Sequence, residues 1–452
     1  MERRITERSV GNSVKILQRR EIGSRRDRCF SLTGARERFR SIFLQEEYDT
    51  QDPLGQSATV VLPFLQRRSK VIQIVSARGI VFSLVQSGVC AAFSRDTNQR
   101  ICFLNLSSDE VIQSLYYNKY SDSVITVSVL GSDYFSSLNC RTTRIEYIQR
   151  GQPDAGFLLF GSESLKRPGF VEFDDLNAKL LTFSAQDCIY KVFDLRNYTM
   201  LYSISDKDVQ EIKTSPRLMM LIYTEAGSYI PLKILSIEDG SVLKSFNYHL
   251  FGRRKVDFIE QFNDKLLVKQ ENENLRILDV RTSQMIEISR TEYLTPSAFV
   301  FLYESHLFLT FRDRTVDVRN FRGELVTSFE DHLPWHPDSN LSNIYITSDQ
   351  DLIISYFKPH FEGRAAQNAG SINISNILTG KCLAKISAGN TRLLKECKCS
   401  GRQCNLSKAC RPTDIRSTVE DALKGITAIF YDEERSEIYT GKANGLLHVW
   451  SN

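Results

Sequence analysis

The sequence predicts an all-β fold in which a four-strand unit repeats around a ring, a β-propeller. Three observations predict it. Strand-forming residues are plentiful, with 27 Phe and 18 Tyr against only 11 Pro. Alternating apolar runs recur with turn signals between them. Neighbouring copies of the pattern start about 40–50 residues apart, room for four short strands and their turns.

The clearest unit is 171–196, VEFDDLNAKLLTFSAQDCIYKVFDLR. An apolar strand is followed by a turn, a second strand, a turn at Asp187 and a third strand, IYKVFDLR. Residues 256–281 and 298–322 repeat the layout, and weaker copies begin near Val71, Val111, Val209 and Asn343. The C-terminal unit, ITAIFYDEERSEIYTGKANGLLHVWSN, has Asn444-Gly445 as its hairpin signal before the strand LLHVW. Most third strands lead into a fourth: TMLYSIS, SVLKSFN, QMIEIS, ELVTSF, KCLAKIS. The count is eight units, or seven if one weak copy is a loop. The last unit holds only three strands. A spare strand at Thr59–Leu65 is therefore expected to pair with the final strand, Leu446–Val449, closing the ring and burying Trp450. A pair of β-sandwiches would not need this period.

This reading divides the chain into a basic arm, 1–57, and a propeller, 58–452, interrupted by an insert at 391–424. The arm carries two helix-like stretches, NSVKILQRREIG and ARERFRSIFLQEEYD. Residues 1–40 hold 12 Lys/Arg and 5 acids, whereas the whole chain is only +4. Such an arm suits an acidic partner, nucleic acid or an import receptor, or is a solvated tail. Aromatic residues that would stack on bases are not interleaved in it, which disfavours nucleic acid. No apolar run is long enough to span a membrane, and the first residues lack the apolar stretch of a secretory signal. Acids interrupt the arginines, unlike a transit peptide. The expected location is the nucleus or cytoplasm, the nucleus first.

No hydrolase elbow, P-loop or metalloprotease motif is present, and the six histidines fit none. His332 and His336 flank Trp335 in a Pro-containing stretch that reads as a surface loop. The expectation is a non-enzymatic protein that requires no cofactor and takes no small-molecule substrate. Cys90, Cys102, Cys140, Cys188 and Cys382 lie in strand patterns and are expected to be buried small hydrophobes. Cys397, Cys399, Cys404 and Cys410 are different, because they crowd into one polar stretch, CKCSGRQCNLSKAC. Four thiolates can complete a structural zinc site. Yet Cys-x-Cys is not the usual Cys-x-x-Cys knuckle, so a flexible insert with reactive or incidental thiols stands as the alternative.

The third-strand segments FSAQDCIYKVFDLR and GKANGLLHVW resemble WD repeats, with Phe193-Asp194 and Trp450 at the Trp-Asp position. The resemblance covers roughly 58–452. It lacks the Gly-His dipeptides, so the repeats are degenerate. Within it, Asp194-Leu195-Arg196 and Asp279-Val280-Arg281 stand in register, and Asn320-Phe321-Arg322 keeps only the arginine. Asp317-Val318-Arg319 is out of register. Ser184, Ala185, Asp187, Ile189, Val192, Phe193, Asp194 and Arg196 are similar to the DWD box of substrate receptors of cullin-4 ubiquitin ligases. In the arm, Val10, Val14 and Leu17 share a helical face. Leu17, Arg19, Arg20, Ile22 and Gly23 resemble the short helix by which such receptors enter the ligase adaptor. The resemblance implies that Val14, Leu17, Arg19, Ile22, Asp194, Arg196, Asp279 and Arg281 bind the cullin-4 adaptor, with an unknown substrate as second partner. A generic WD-repeat scaffold of another complex is the alternative.

Overall fold

The computed structural model describes residues 38–452, apart from 40–41, 51–67, 161–164, 167–168, 331–342, 358–368, 390–414 and positions 206, 253, 297, 313 and 314. The described strands form eight antiparallel sheets. Within each sheet the strands are lettered a to d from the axis outwards. First strands of neighbouring blades pack on one another, as in blades 1 and 2 or 4 and 5, so they surround the axis.

Blade 1 runs Val71–Ala77, Ile80–Val85, Cys90–Ser94, Arg100–Phe103. Blade 3 runs Gly169–Asp174, Lys179–Ser184, Ile189–Asp194, Met200–Ser205. Blade 4 runs Val209–Ser215, Leu218–Tyr223, Tyr229–Ser236, Val242–His249. Blade 5 runs Val256–Phe262, Lys265–Gln270, Leu275–Asp279, Met285–Ile288. Blade 6 ends on strands Thr315–Asn320 and Leu325–Glu330, and blade 7 on Ser371–Asn376 and Cys382–Ile386. Blade 2 departs from the pattern. Its strand c, Ser137–Arg144, leads into a short helix, Ile145–Gln149, and its outer strand is split into Phe157–Leu158 and Leu165–Lys166.

Alternation along each strand sends apolar side chains to both faces of a blade, where they meet the next blade. The core is consequently a series of clusters at the seams. Leu181, Tyr190 and Val192 of blade 3, for example, pack with Leu221, Tyr223 and Leu235 of blade 4. Strand d has no outer neighbour and is the most exposed.

Blade 8 corrects the expected closure. Its strands a to c are Ile426–Asp432, Glu437–Lys442 and Leu446–Ser451, and its strand d is Phe43–Asp49, not Thr59–Leu65. Phe43 pairs with Ser451 and Asp49 with Leu446. Residues 59–65 lie outside the described residues. The second helix-like stretch is corrected with it, since 43–49 of ARERFRSIFLQEEYD is strand. Trp450 is fully buried as expected, and its indole N–H donates to Thr440 Oγ1 at 2.8 Å.

Polar side chains fasten this blade. His448 is fully buried and stands 3.2 Å from Glu47 Oε2, while the Ser417 amide donates to the same oxygen at 3.0 Å. Across the seam, Arg95 of blade 1 forks onto both oxygens of Glu437 at 2.8 and 2.9 Å, and its third nitrogen donates to Tyr48 Oη at 2.7 Å.

The cysteines divide. Cys90 and Cys140 are buried, and Cys102 and Cys188 are half-buried. Cys382 is exposed, contrary to expectation, because it opens an outer strand.

Candidate protein-interaction rim

A blade's four strands run alternately down and up. The a–b and c–d turns therefore lie on one rim, here the lower, while the b–c turns and blade-to-blade connections lie on the upper. The Asp-x-Arg segments fall at c–d turns, so the structure brings both to the lower rim. Blade 3 carries one, blade 5 the other, and blade 4 stands between.

The aspartates are explained by the turn itself. Asp194 Oδ1 accepts the Arg196 amide at 2.8 Å. Asp279 Oδ1 accepts the Arg281 and Thr282 amides, each at 2.9 Å. Asn320 does the same for the Arg322 amide at 2.9 Å. This is a side chain bonding its own backbone two residues on, the conformation that favours Asp and Asn at such turns. Burial opposes the charge on Asp279. The Lys265 ammonium and the two amides nevertheless hold its carboxyl down at about 2. The out-of-register Arg319 is buried and spends its guanidinium on the carbonyls of Gly323 and Glu292.

The arginine side chains at the register position are left outside. Arg196 is 59% exposed, 3.6 Å from Asp194 and over the Tyr120 ring at 5.6 Å. Arg281 is 79% exposed, with Nε 3.4 Å from Asp264 Oδ2. Exposed pairs at such distances contribute little to stability.

Sequence reading missed two features of this rim. The first is a row of exposed apolar pairs where successive outer strands begin: Phe157-Leu158, Met200-Leu201, Val242-Leu243, Met285-Ile286 and Leu325-Val326. Their alternation reads as ordinary strand, and only the place of strand d in the sheet exposes them. The second is a cleft of about 510 Å³ between blades 4 and 5, lined by Arg217, Leu218, Leu243, Asn263, Asp264 and Arg281 among others.

The two segments outside the blades leave from opposite rims. Phe43 pairs with the end of strand c, so the arm reaches blade 8 at the lower rim. There the Arg38 guanidinium donates to Tyr431 Oη at 3.0 Å, and the Arg38 carbonyl accepts from the side-chain Nδ2 of Asn452 at 2.7 Å. The insert instead joins strand d of blade 7 to strand a of blade 8, at the upper rim. Its described end folds against the blade: Thr418 caps the one-turn helix Val419–Ala422, and Ala422 and Leu423 are buried.

The arm positions Val14, Leu17, Arg19 and Ile22 lie outside the described residues, as do Cys397, Cys399, Cys404 and Cys410, and also His332, Trp335 and His336. Among the described residues, no group of three His, Cys, Asp or Glu could hold a metal ion. Nor is any helix among them long and apolar enough to cross a membrane.

A family profile described as "Domain of unknown function (DUF7899)" matches residues 27–450. The chain belongs to this family. The DUF7899 match takes in every blade and the described end of the arm. No curated protein sequence is significantly similar. Among solved structures, the computationally designed Ika8 protein is similar at a TM-score of 0.50 and 15% identity, covering 85% of this chain and 97% of its own. BamB from Moraxella catarrhalis aligns at a TM-score of 0.45 and 12% identity, over 91% of this chain and 100% of its own. The likeness to the designed protein concerns the fold alone. With 1493 matching chains, the fold of a DUF7899 protein singles out no partner.

Proposed function

We propose that this propeller is a protein-interaction module, and that it serves as a substrate receptor of a cullin-4 ubiquitin ligase, meeting the ligase adaptor with its lower rim. One observation carries the reading. At Asp194-x-Arg196 and Asp279-x-Arg281 the acid is committed to the turn while the guanidinium stays exposed, on the same rim. An exposed arginine held by a rigid turn is well suited to recognising a partner's carboxylates. The arm also joins the propeller at this rim, so a helix around Val14–Ile22 and the rim arginines can face one partner.

Co-purification with the cullin-4 adaptor tests the reading. Leu17→Asp is expected to weaken adaptor binding by more than tenfold, since burying a leucine in a groove contributes about 1.5–3 kcal/mol. Arg196→Ala with Arg281→Ala is expected to release the adaptor without lowering the melting temperature. A lowered melting temperature with the adaptor retained would instead assign the arginines a structural role. The row of apolar pairs on the outer strands favours a second reading, a scaffold subunit of another complex. That reading takes over if the wild-type protein captures no adaptor.

A further inference from the structure

Taking the lower rim to be a docking face, we infer that the cleft between blades 4 and 5 receives an acidic peptide segment of a partner protein. One Asp or Glu carboxylate of that segment lies between Arg217 and Arg281, and a neighbouring aliphatic side chain lies on Leu243.

Three turns and one outer strand build the cleft. The a–b turn of blade 4 supplies Arg217 and Leu218, and its outer strand supplies Leu243. The a–b turn of blade 5 supplies Asn263 and Asp264, and its c–d turn supplies Arg281. The backbone of Arg217 is fixed. Its amide donates to Asn177 Oδ1 at 2.8 Å, its carbonyl accepts from the Ile237 amide at 3.2 Å, and its φ is 65°, in the left-handed region. A side chain other than Gly or Asn in that conformation is uncommon. The guanidinium so placed is exposed and makes no ion pair among the described residues.

Charge decides the class of ligand. The lining holds two guanidinium groups and one carboxylate, Asp264, which already stands beside Arg281. One positive charge remains uncompensated, which matches a single carboxylate. A phosphate or polyanion would bring more negative charge and meet Asp264. The lining beside the arginines also holds an exposed apolar side chain, Leu243, at 57%. An acid next to an aliphatic residue satisfies both halves of the cleft.

Peptides selected on the full chain from a phage-displayed library of random heptapeptides, then measured by fluorescence anisotropy, test this. The expected peptides carry Asp or Glu beside Leu, Ile, Val or Met. Arg217→Asn keeps a residue suited to the left-handed turn while removing the charge. It should weaken those peptides by on the order of tenfold or more, the loss of a charge-assisted contact. Leu243→Ser should weaken them as well. No enrichment of acidic peptides, affinity unchanged in Arg217→Asn, or displacement by low-millimolar inorganic phosphate would each overturn the assignment. Adaptor capture is scored separately. Peptide binding that depends on Arg217, in a protein that captures no cullin-4 adaptor, supports the cleft and removes the cullin-4 reading. Adaptor capture without such peptide binding does the reverse.

Discussion

Blade 8 and the outer strands of blades 3 to 6 invert the usual distribution of polarity in opposite directions. At the closing blade and its seam with blade 1, ionisable groups are inside: Arg95 and Glu437 are 6% and 10% exposed, and His448 and Glu47 are 0% and 5%. On the outer strands, Met200, Val242, Met285 and Leu325 are each about half exposed. Buried ionic groups add little net stability but are costly to leave unpaired, so they penalise a wrong strand in the closing position. Exposed apolar pairs repeated on neighbouring blades contribute little to folding and offer a surface to another molecule. The first region holds the ring in one register, and the second is free to be used.

The largest test of this contrast removes the closing strand. Deleting residues 446–452 takes away Leu447, Val449 and Trp450, all fully buried, and leaves strands 43–49 and 437–442 without the partner between them. Burial of three such side chains amounts to several kcal/mol against a typical domain stability of about 5–15 kcal/mol. Size-exclusion chromatography should show aggregation; a soluble monomer that melts at the parent temperature would remove the closure from the account.

A smaller effect is expected from Glu437→Ala, which strands the Arg95 charge in the seam. Breaking such a buried pair costs about 3–5 kcal/mol. The melting temperature should fall by several degrees, and Arg95→Met in the same chain should restore part of the loss.

Acid should act on the same blade. Burial pushes His448 below its ordinary value, against the raising effect of Glu47. Below about pH 6.5 the unfolded imidazole takes up a proton that the folded one does not, so stability falls as the pH falls. Burial opposes ionisation of Glu47, yet the hydrogen bonds from His448 and the Ser417 amide hold it at about 2, below its ordinary 4.5. Its contribution is complete above 4.5 and is lost as the pH drops towards 2. The melting temperature should therefore fall in two stages from about pH 6.5 downwards. His448→Gln should remove the upper stage, and a two-stage profile unchanged in that variant would contradict the assignment. The least change in stability belongs to the rim: Arg196→Ala and Arg281→Ala should each stay within about 0.5 kcal/mol in denaturant unfolding.

The sequence showed the blades wherever a strand buries apolar residues next to a recognisable turn. The unit at 171–196, the Asn444-Gly445 hairpin and buried Trp450 are of this kind. It hid the closing strand because FLQEEYD spends one inward position on Glu47, whose partner His448 lies 401 positions away. Read alone, 59–65 is the more apolar segment and the more persuasive strand. The rim was legible only in part. The Asp-x-Arg register is local and visible, but Arg217 carries no repeat signature and joins Arg281 only because two blades meet. Exposure of the apolar pairs, and of Cys382, follows from being outermost in a sheet, which no local pattern encodes.

The pairing of Phe43–Asp49 with Leu446–Ser451 also sets an order of events during synthesis. The strand that finishes blade 8 leaves the ribosome long before its partner does. At about 5–20 residues per second, the 401 positions between Glu47 and His448 take roughly 20–80 s to translate. Throughout that interval the nascent chain carries an early strand whose own place is not yet made, beside blades that are filling in one after another. The ring is thus sealed only once residues 446–451 have been translated, and a chain stalled before them is left open.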